Sequence, residues 1–248
     1  VTVTVNSVEV RHVSKHFTLR HTRSLKEMAV WKSRGRELSN TFLALDDVAL
    51  NIQQGEALGL LGWNGSGKST LLKLISGVMR PDQGSIGVRG RVAGLIEVGA
   101  GFSPDLTGRE NVYLNGATLG MSRRQIDRLF DDIVDFSGVS RFLDTEVKFY
   151  SSGMFFRLAF AVAVHTEPDV FLVDEILAVG DEPFQRIAVA RIQELCKEGR
   201  TLIMVSHDLP MVERICERGI VLREGHLSHD TDITSAIRLL RQTDRAKS

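Results

Sequence analysis

Two cysteines, Cys196 and Cys216, are all that this chain carries. They show no CxxC spacing and no neighbouring ligand cluster, which excludes a disulfide scaffold and a thiolate metal site. Such usage fits the reducing cytosol. Net charge is also lacking, since 31 Lys+Arg balance 31 Asp+Glu. A general nucleic-acid binder usually carries a basic excess, so no nucleic-acid partner is expected. No apolar run approaches the ~18 residues of a spanning helix. The longest covers residues 158–164 and meets His165. Residues 1–10 alternate apolar with polar and lack the apolar core of a secretory signal. A chain of 248 residues, 43% of them hydrophobic, can bury about 70–75% of its unfolded surface without a covalent staple.

What is present is periodicity. Val8-Glu9-Val10 and the stretch around Val13 alternate as in a strand, and residues 43–52 read as a second. Between them, residues 18–42 hold six basic residues (Arg20, Arg23, Lys26, Lys32, Arg34, Arg36) against Glu27 and Glu37. This insertion therefore carries +4 and the remainder of the chain −4. Ser24 and Glu27 form an S-x-x-E capping box. Leu25, Met28, Ala29 and Trp31 follow at helical spacing, predicting a short basic helix and then a loop over 33–40. Further along, the pattern predicts an apolar strand at 57–61, a helix over about 68–78, a turn at 81–84 and a strand over 88–98. It then predicts helices over 107–119, 122–136 and 155–164, buried strands at 170–173 and 201–205, a hairpin around Arg223-Glu224, and a terminal helix over 233–240. Apolar strands alternating with helices imply an α/β fold with a largely parallel sheet covered on both faces.

Two motifs carry chemistry. Gly62-Trp63-Asn64-Gly65-Ser66-Gly67-Lys68-Ser69 fits G-x-x-x-x-G-K-[ST] completely, between an apolar strand and a helix. In such a loop the glycines let backbone N–H groups turn inward around phosphate oxygens, and the helix N-terminus adds partial positive charge. Lys68 is expected to reach the β- and γ-phosphates and Ser69 to ligate Mg²⁺, with Thr70 beside it. The apolar run at 170–173 ends in Asp174-Glu175. Carboxylates there fall at the carboxyl edge of the sheet, where open α/β folds bind ligands. Asp174 suits Mg²⁺ and Glu175 suits a general base for water attacking a γ-phosphate. A plain Gly-rich turn and an acid pair at a helix N-terminus are the bland alternatives.

Further segments narrow the reading. Phe149-Tyr150-Ser151-Ser152-Gly153-Met154, with Arg157 following, resembles the signature of ATP-binding cassette (ABC) ATPases. Ala178-Val179-Gly180-Asp181 resembles their D-loop, His207 in Val205-Ser206-His207-Asp208 their switch histidine, and Phe17 the aromatic that stacks on adenine. The resemblance implies a P-loop (RecA-like) nucleotide-binding domain with an antiparallel β subdomain and a helical subdomain. Its bounds would be 1–96 and 166–248 for the core and 97–165 for the helical part. It implies ATP and Mg²⁺ as cofactors, and a homodimer in which Ser151 and Gly153 of one copy meet the nucleotide of the other. There are departures. The usual Leu-Ser-Gly-Gly-Gln reads Tyr150-Ser151-Ser152-Gly153-Met154, and Glu97 stands where the family places a glutamine, as a candidate Mg²⁺ ligand.

Those departures, with Leu106-Thr107-Gly108-Arg109-Glu110-Asn111 and Glu175-Ile176-Leu177-Ala178, resemble the ATP-binding subunits of exporters of lipid-linked polysaccharide. That group handles O-antigen, teichoic acid and cell-wall galactan, and the galactan members are the nearest in pattern. The resemblance implies a multi-spanning permease partner, a lipid-linked polysaccharide substrate and a place on the cytoplasmic face of the membrane. Ending at Ser248 leads one to expect no appended carbohydrate-binding domain. Phe102 and Tyr113 are candidates for a groove that takes a coupling helix of the permease. The basic insertion is a candidate for the face that meets anionic headgroups or a substrate pyrophosphate. The competing functions are a soluble ABC ATPase of DNA repair or translation, which usually has two cassettes or a long coiled coil, and a nucleotide kinase.

Overall fold

The computed structural model describes residues 5–20, 39–94, 101–174 and 181–245. Strands β3 (Ala57–Leu61), β6 (Val170–Val173) and β7 (Thr201–Met204) are buried on both faces, and apart from Thr201 at the start of β7 they carry no polar side chain. Leu58, Leu60, Val170, Leu172 and Ile203 point into one core, and Ala57, Leu61, Phe171, Val173, Leu202 and Met204 into another. The strand alternation of two thus feeds two hydrophobic layers from one sheet. This sheet has six strands in the order β5-β6-β7-β3-β8-β9. Here β5 is Val92–Gly94, β8 is Arg218–Arg223 and β9 is His226–Asp232. All pairings are parallel except the edge pair β8–β9.

One face of that sheet is covered by α1 (Lys68–Ile75) and by a second sheet. The second sheet is antiparallel, ordered β2-β1-β4, from β1 (Asn6–Arg20), β2 (Ser39–Gln53) and β4 (Gln83–Val88). Val8, Val10, Val13, Leu45, Val48 and Ile52 contribute its inner side. The opposite face is covered by α4 (Ser152–His165), α5 (Glu182–Lys197), α6 (Leu209–Ile215) and α7 (Ile233–Arg245). The helical subdomain is built from α2 (Gly108–Thr118), α3 (Arg123–Ser137), two short 3-10 turns and α4. Its own core holds Val112, Ile126, Phe130, Ile133, Leu143 and Leu158. Capping boxes Thr107/Glu110 and Ser122/Gln125 open α2 and α3.

Several expectations need correction. The strands run into the basic insertion: Thr18 pairs with Thr41, Leu19 with Asn40 and Arg20 with Ser39. The two edges of residues 18–42 are therefore ladder, not loop, and cross-strand hydrogen bonds override the polar composition. The helix expected from Ser24 lies outside the described residues. The strand expected over 88–98 is two strands in different sheets, β4 and β5, parted at Arg89–Arg91, with Gly90 at φ 87°. Residues 83–84, expected in a turn, belong to β4 because Gln83 pairs with Ser14. Helix α1 stops at Ile75 rather than near 78, and α7 runs to Arg245 rather than 240. Helices α5 and α6 were not anticipated, although Asp181 and Asp208 cap them and Pro183 and Pro210 stand in their first turns.

Candidate nucleotide-binding site

Three parallel strands deliver the predicted groups to one edge. Strand β3 ends at Leu61 and passes into the Gly62 loop; β6 ends at Val173 beside Asp174; β7 ends at Met204 and continues to His207. Register makes them level, because Met204 pairs with Gly59 on one side and Val173 on the other. The loop, Asp174 and His207 thus share the carboxyl edge of adjacent strands, the position at which open α/β sheets bind ligands.

The loop needs its glycines. Gly62, Gly65 and Gly67 adopt φ of 152°, 79° and 106°. A Cβ on Gly67 would stand 2.7 Å from the Ala44 carbonyl oxygen, and one on Gly62 2.4 Å from Ser66 Oγ. Around Gly65 there is open space. Lys68 is buried, and its Nζ donates to the carbonyls of Gly62 at 2.8 Å and Trp63 at 3.1 Å. The hairpin turn of β8–β9 braces the loop from behind: the Gly225 N–H donates to Ser66 O at 3.1 Å, and Asp46 N–H to Gly225 O at 2.9 Å. Gly225, read from sequence only as part of a hairpin, is a support that sequence reasoning missed.

Helix α1 differs from its neighbours at its start. Thr107, Ser122, Ser151, Asp181 and Asp208 cap α2 to α6 with side-chain oxygens. The N-cap of α1 is Gly67, with no side-chain cap and no acid in the first turn. Its leading N–H groups, with Ser69 and Thr70 among them, are left for an external acceptor, and the helix dipole favours an anion there. Among the described residues the buried Ser66 Oγ has no hydrogen-bond partner. A phosphate fits all of these donors. Among the described residues no cluster of three His, Cys, Asp or Glu stands together. Mg²⁺ in a phosphate site takes much of its coordination from phosphate and water, so Ser69 and Asp174 are the residues that would hold it on the protein side.

Phe17 is half-buried on β1, opposite the exposed Phe42, with Lys15 Nζ 5.9 Å from its ring. Lys15 pairs with Leu45, the residue packed against Gly67, so Phe17 is two residues along the strand from the loop. Asn64 and Ser69 are exposed at the loop surface. His207 is exposed on the wall of a cavity of about 660 Å³ between α5 and α6. Ser151 accepts the Met154 N–H at 3.2 Å and so opens α4, with Gly153 in its first turn. Asp181 caps α5. Burial pushes its carboxyl up, but the Arg157 hydrogen bond and charge and the Phe184 N–H outweigh this and hold it below its ordinary value. Glu97 and Glu175 lie outside the described residues. Phe102 packs on Phe155, ring centroids 5.0 Å apart, and Tyr113 donates to Asp127 at 2.8 Å.

The sequence pattern described as "ABC transporter" matches residues 45–178, more than half of the chain. This chain belongs to the ABC transporter family. The cassette is 41% identical to an O-antigen export system ATP-binding protein of Klebsiella pneumoniae, covering 88% of this chain and 90% of that protein. It is 50% identical to ABC transporter protein AbcA of Aeromonas salmonicida over 75% of this chain and 60% of that protein. It is 40% identical to a teichoic acids export ATP-binding protein of Levilactobacillus brevis over 89% of this chain and 60% of that protein. The cassette thus spans about 60% of the length of some of these relatives and nearly all of others. Among solved structures, the ATP-binding subunit of an ABC transporter has a TM-score of 0.75 at 23% identity, covering 94% of each chain. A dimeric post-hydrolysis cassette bound to ADP and phosphate has a TM-score of 0.72 at 22% identity, covering 91% of this chain and 98% of that one. At these identities the structural likeness concerns the fold.

Proposed function

We propose that this chain is the ATP-hydrolysing, energy-coupling subunit of an exporter of lipid-linked polysaccharide. The observation that carries the reading is the uncapped N-terminus of α1 inside a glycine loop, level with Asp174 and His207. Lys68 and the loop N–H groups bind the β- and γ-phosphates of ATP. Phe17 packs on the adenine. Ser69 and Asp174, with Glu97 as a further candidate, would hold Mg²⁺, which would neutralise charge on the transferring phosphoryl group. Glu175 takes the proton of the attacking water, and His207 holds the γ-phosphate side of the pocket.

Two copies act together. Ser151 and Gly153 of the partner subunit contact the γ-phosphate held by the loop, and Asp181 lies at the junction of the copies. ATP favours the closed pair through contacts that the open form lacks, and hydrolysis removes them. The polymer is a lipid-linked polysaccharide, and the sequence pattern favours cell-wall galactan. Relatives named for O-antigen and teichoic acid export support the polysaccharide class. No described helix is long and apolar enough to cross a membrane. The chain meets the membrane through a permease on its cytoplasmic face. Phe149, 71% exposed, and Leu114, 39% exposed, give the helical subdomain an apolar surface for that partner.

The direct test is Glu175→Gln. ATP binding is expected to persist while turnover falls by about 100-fold or more. Parent-like hydrolysis in this variant would remove Glu175 as the base. Co-purification with a multi-spanning protein supports transport; association with ribosomes or nucleic acid would support the soluble alternative.

A further inference from the structure

A lysine stands on the inner side of the antiparallel sheet, where its charge is costly. Lys15 pairs across the ladder with Leu45, which is fully buried and packs against Gly67 of the phosphate loop. Residues directly opposite each other point to the same face. The Lys15 side chain is 15% exposed, and lysines are seldom buried unless paired. Two groups compensate it. The ammonium donates to Asp82 Oδ1 at 2.9 Å, and it lies over the Phe17 ring, 5.9 Å from the centroid. Asp82 is itself fixed just before β4. Its N–H donates to Ser14 O at 3.0 Å, and its carboxylate accepts the His16 N–H at 2.6 Å. Lys15 and Phe17 are two residues apart on β1 and so share a face. A chain of contacts, Asp82 to Lys15 to Phe17, thus runs from β4 to the ring.

We propose that Lys15, anchored by Asp82, is a positioning residue that holds the Phe17 ring ready for the nucleotide base. This rests on the reading that Phe17 packs on adenine. An aromatic ring carries negative charge on its faces, so an ammonium over one face favours one orientation of the ring. The opposite face is left for the base. A phenylalanine free to turn loses rotamer freedom when a ligand arrives, and a ring already held loses less. The contribution of Lys15 is therefore confined to nucleotides that carry a base. Lys68, by contrast, serves the phosphates.

The experiment uses the full chain and its Lys15→Met, Lys15→Arg, Asp82→Asn and Lys15→Met/Asp82→Asn variants. Methionine keeps an unbranched stem without the charge. Kd is measured for ATP and for inorganic tripolyphosphate, which has the phosphates and no base, with KM, kcat and melting temperature alongside. In Lys15→Met, ATP affinity is expected to fall and KM to rise about two- to tenfold, the range set by freeing one side chain. Tripolyphosphate affinity and kcat stay near the parent. Asp82→Asn shows the same base-dependent loss, and the double variant loses no more than the worse single one. Lys15→Arg, which keeps the cation, binds ATP as the parent does. Parent-like ATP affinity in Lys15→Met overturns the proposal. So does an equal loss for ATP and tripolyphosphate, or additivity in the double variant. If Lys15→Met melts early, Asp82→Asn carries the same comparison. Phe17→Ala separates the two claims: parent-like ATP affinity there defeats the adenine reading, whereas a base-dependent loss there with parent-like affinity in Lys15→Met defeats only the positioning.

Discussion

Lys68 shows how a single charge organises a loop before any ligand arrives. It is 7% exposed, and its ammonium donates to the carbonyls of Gly62 and Trp63. Charge-assisted bonds of this kind contribute about 1.5–3 kcal/mol each. Lys68→Ala is expected to weaken ATP binding at least about tenfold, since it deletes one such bond to phosphate. It should also lower the melting temperature, because the buried Gly62 carbonyl and the partly buried Trp63 carbonyl lose a donor; equilibrium binding and calorimetry check both. The two cysteines behave differently from surface thiols. Burial raises the Cys196 thiol and pushes Cys216 up to about 12. At neutral pH almost no thiolate forms, so alkylation of the native chain should be slow and should become fast on unfolding. Rapid native labelling of Cys216 would contradict its placement.

Helix starts and strand ends decide the site at the scale of elements. Tyr150 stands where the family has leucine, and its hydroxyl donates to Phe142 O at 2.7 Å. A Cβ on Gly108, in the capping turn of α2, would lie 2.1 Å from that hydroxyl oxygen. The departure at Tyr150 is thus matched by a glycine in another element. Gly108→Ala should destabilise the helical subdomain by about 1–3 kcal/mol, as other overpacking changes do, and Gly108→Ala/Tyr150→Phe should recover part of it. Denaturant titration reads both. In the antiparallel sheet, Asp82 accepts His16 N–H at 2.6 Å and Lys15 Nζ at 2.9 Å, joining β1 to the start of β4. The His16 N–H bond and the Lys15 contact lower its pKa below 3.8. A depressed carboxylate stabilises the fold above its unfolded pKa and loses that effect as pH falls through the folded value. Asp82→Asn should therefore melt slightly below the parent at pH 7, with the gap closing in acid.

The elements also show what was readable beforehand. The phosphate loop, the Asp174 strand end and the His207 strand end were legible, because glycine spacing and apolar runs are local signals. The alternation that divides β3, β6 and β7 between two cores was legible only as continuous hydrophobicity. Helix α5 was missed although Asp181 and Pro183 mark its start, because its buried positions, Phe184, Ala188, Ile192 and Leu195, are interleaved with charge. The extension of β1 and β2 into the basic insertion was illegible because ladder bonds depend on a partner strand, not on composition. Arg157 was visible in the signature segment, but its partners Asp181 and Phe184 come from a distant part of the chain.

As a whole molecule, the chain layers an antiparallel sheet and α1 on one face of a parallel sheet and four helices on the other. The balance of 31 against 31 charges conceals a +4 segment at residues 18–42. Neutralising Arg20, Arg23 and Lys26 together should impair export in cells while sparing basal ATPase activity. Unimpaired export would leave the segment a solvated excursion. In the proposed mechanism ATP is clasped between the loop of one copy and the signature of another. Sedimentation of the Glu175→Gln chain with ATP and Mg²⁺ is the decisive measurement. The expected result is a monomer without nucleotide, a dimer with ATP, and loss of that dimer when Ser151 and Gly153 are replaced together by bulky residues. A monomer at saturating ATP, or a dimer indifferent to both nucleotide and Ser151, would contradict it.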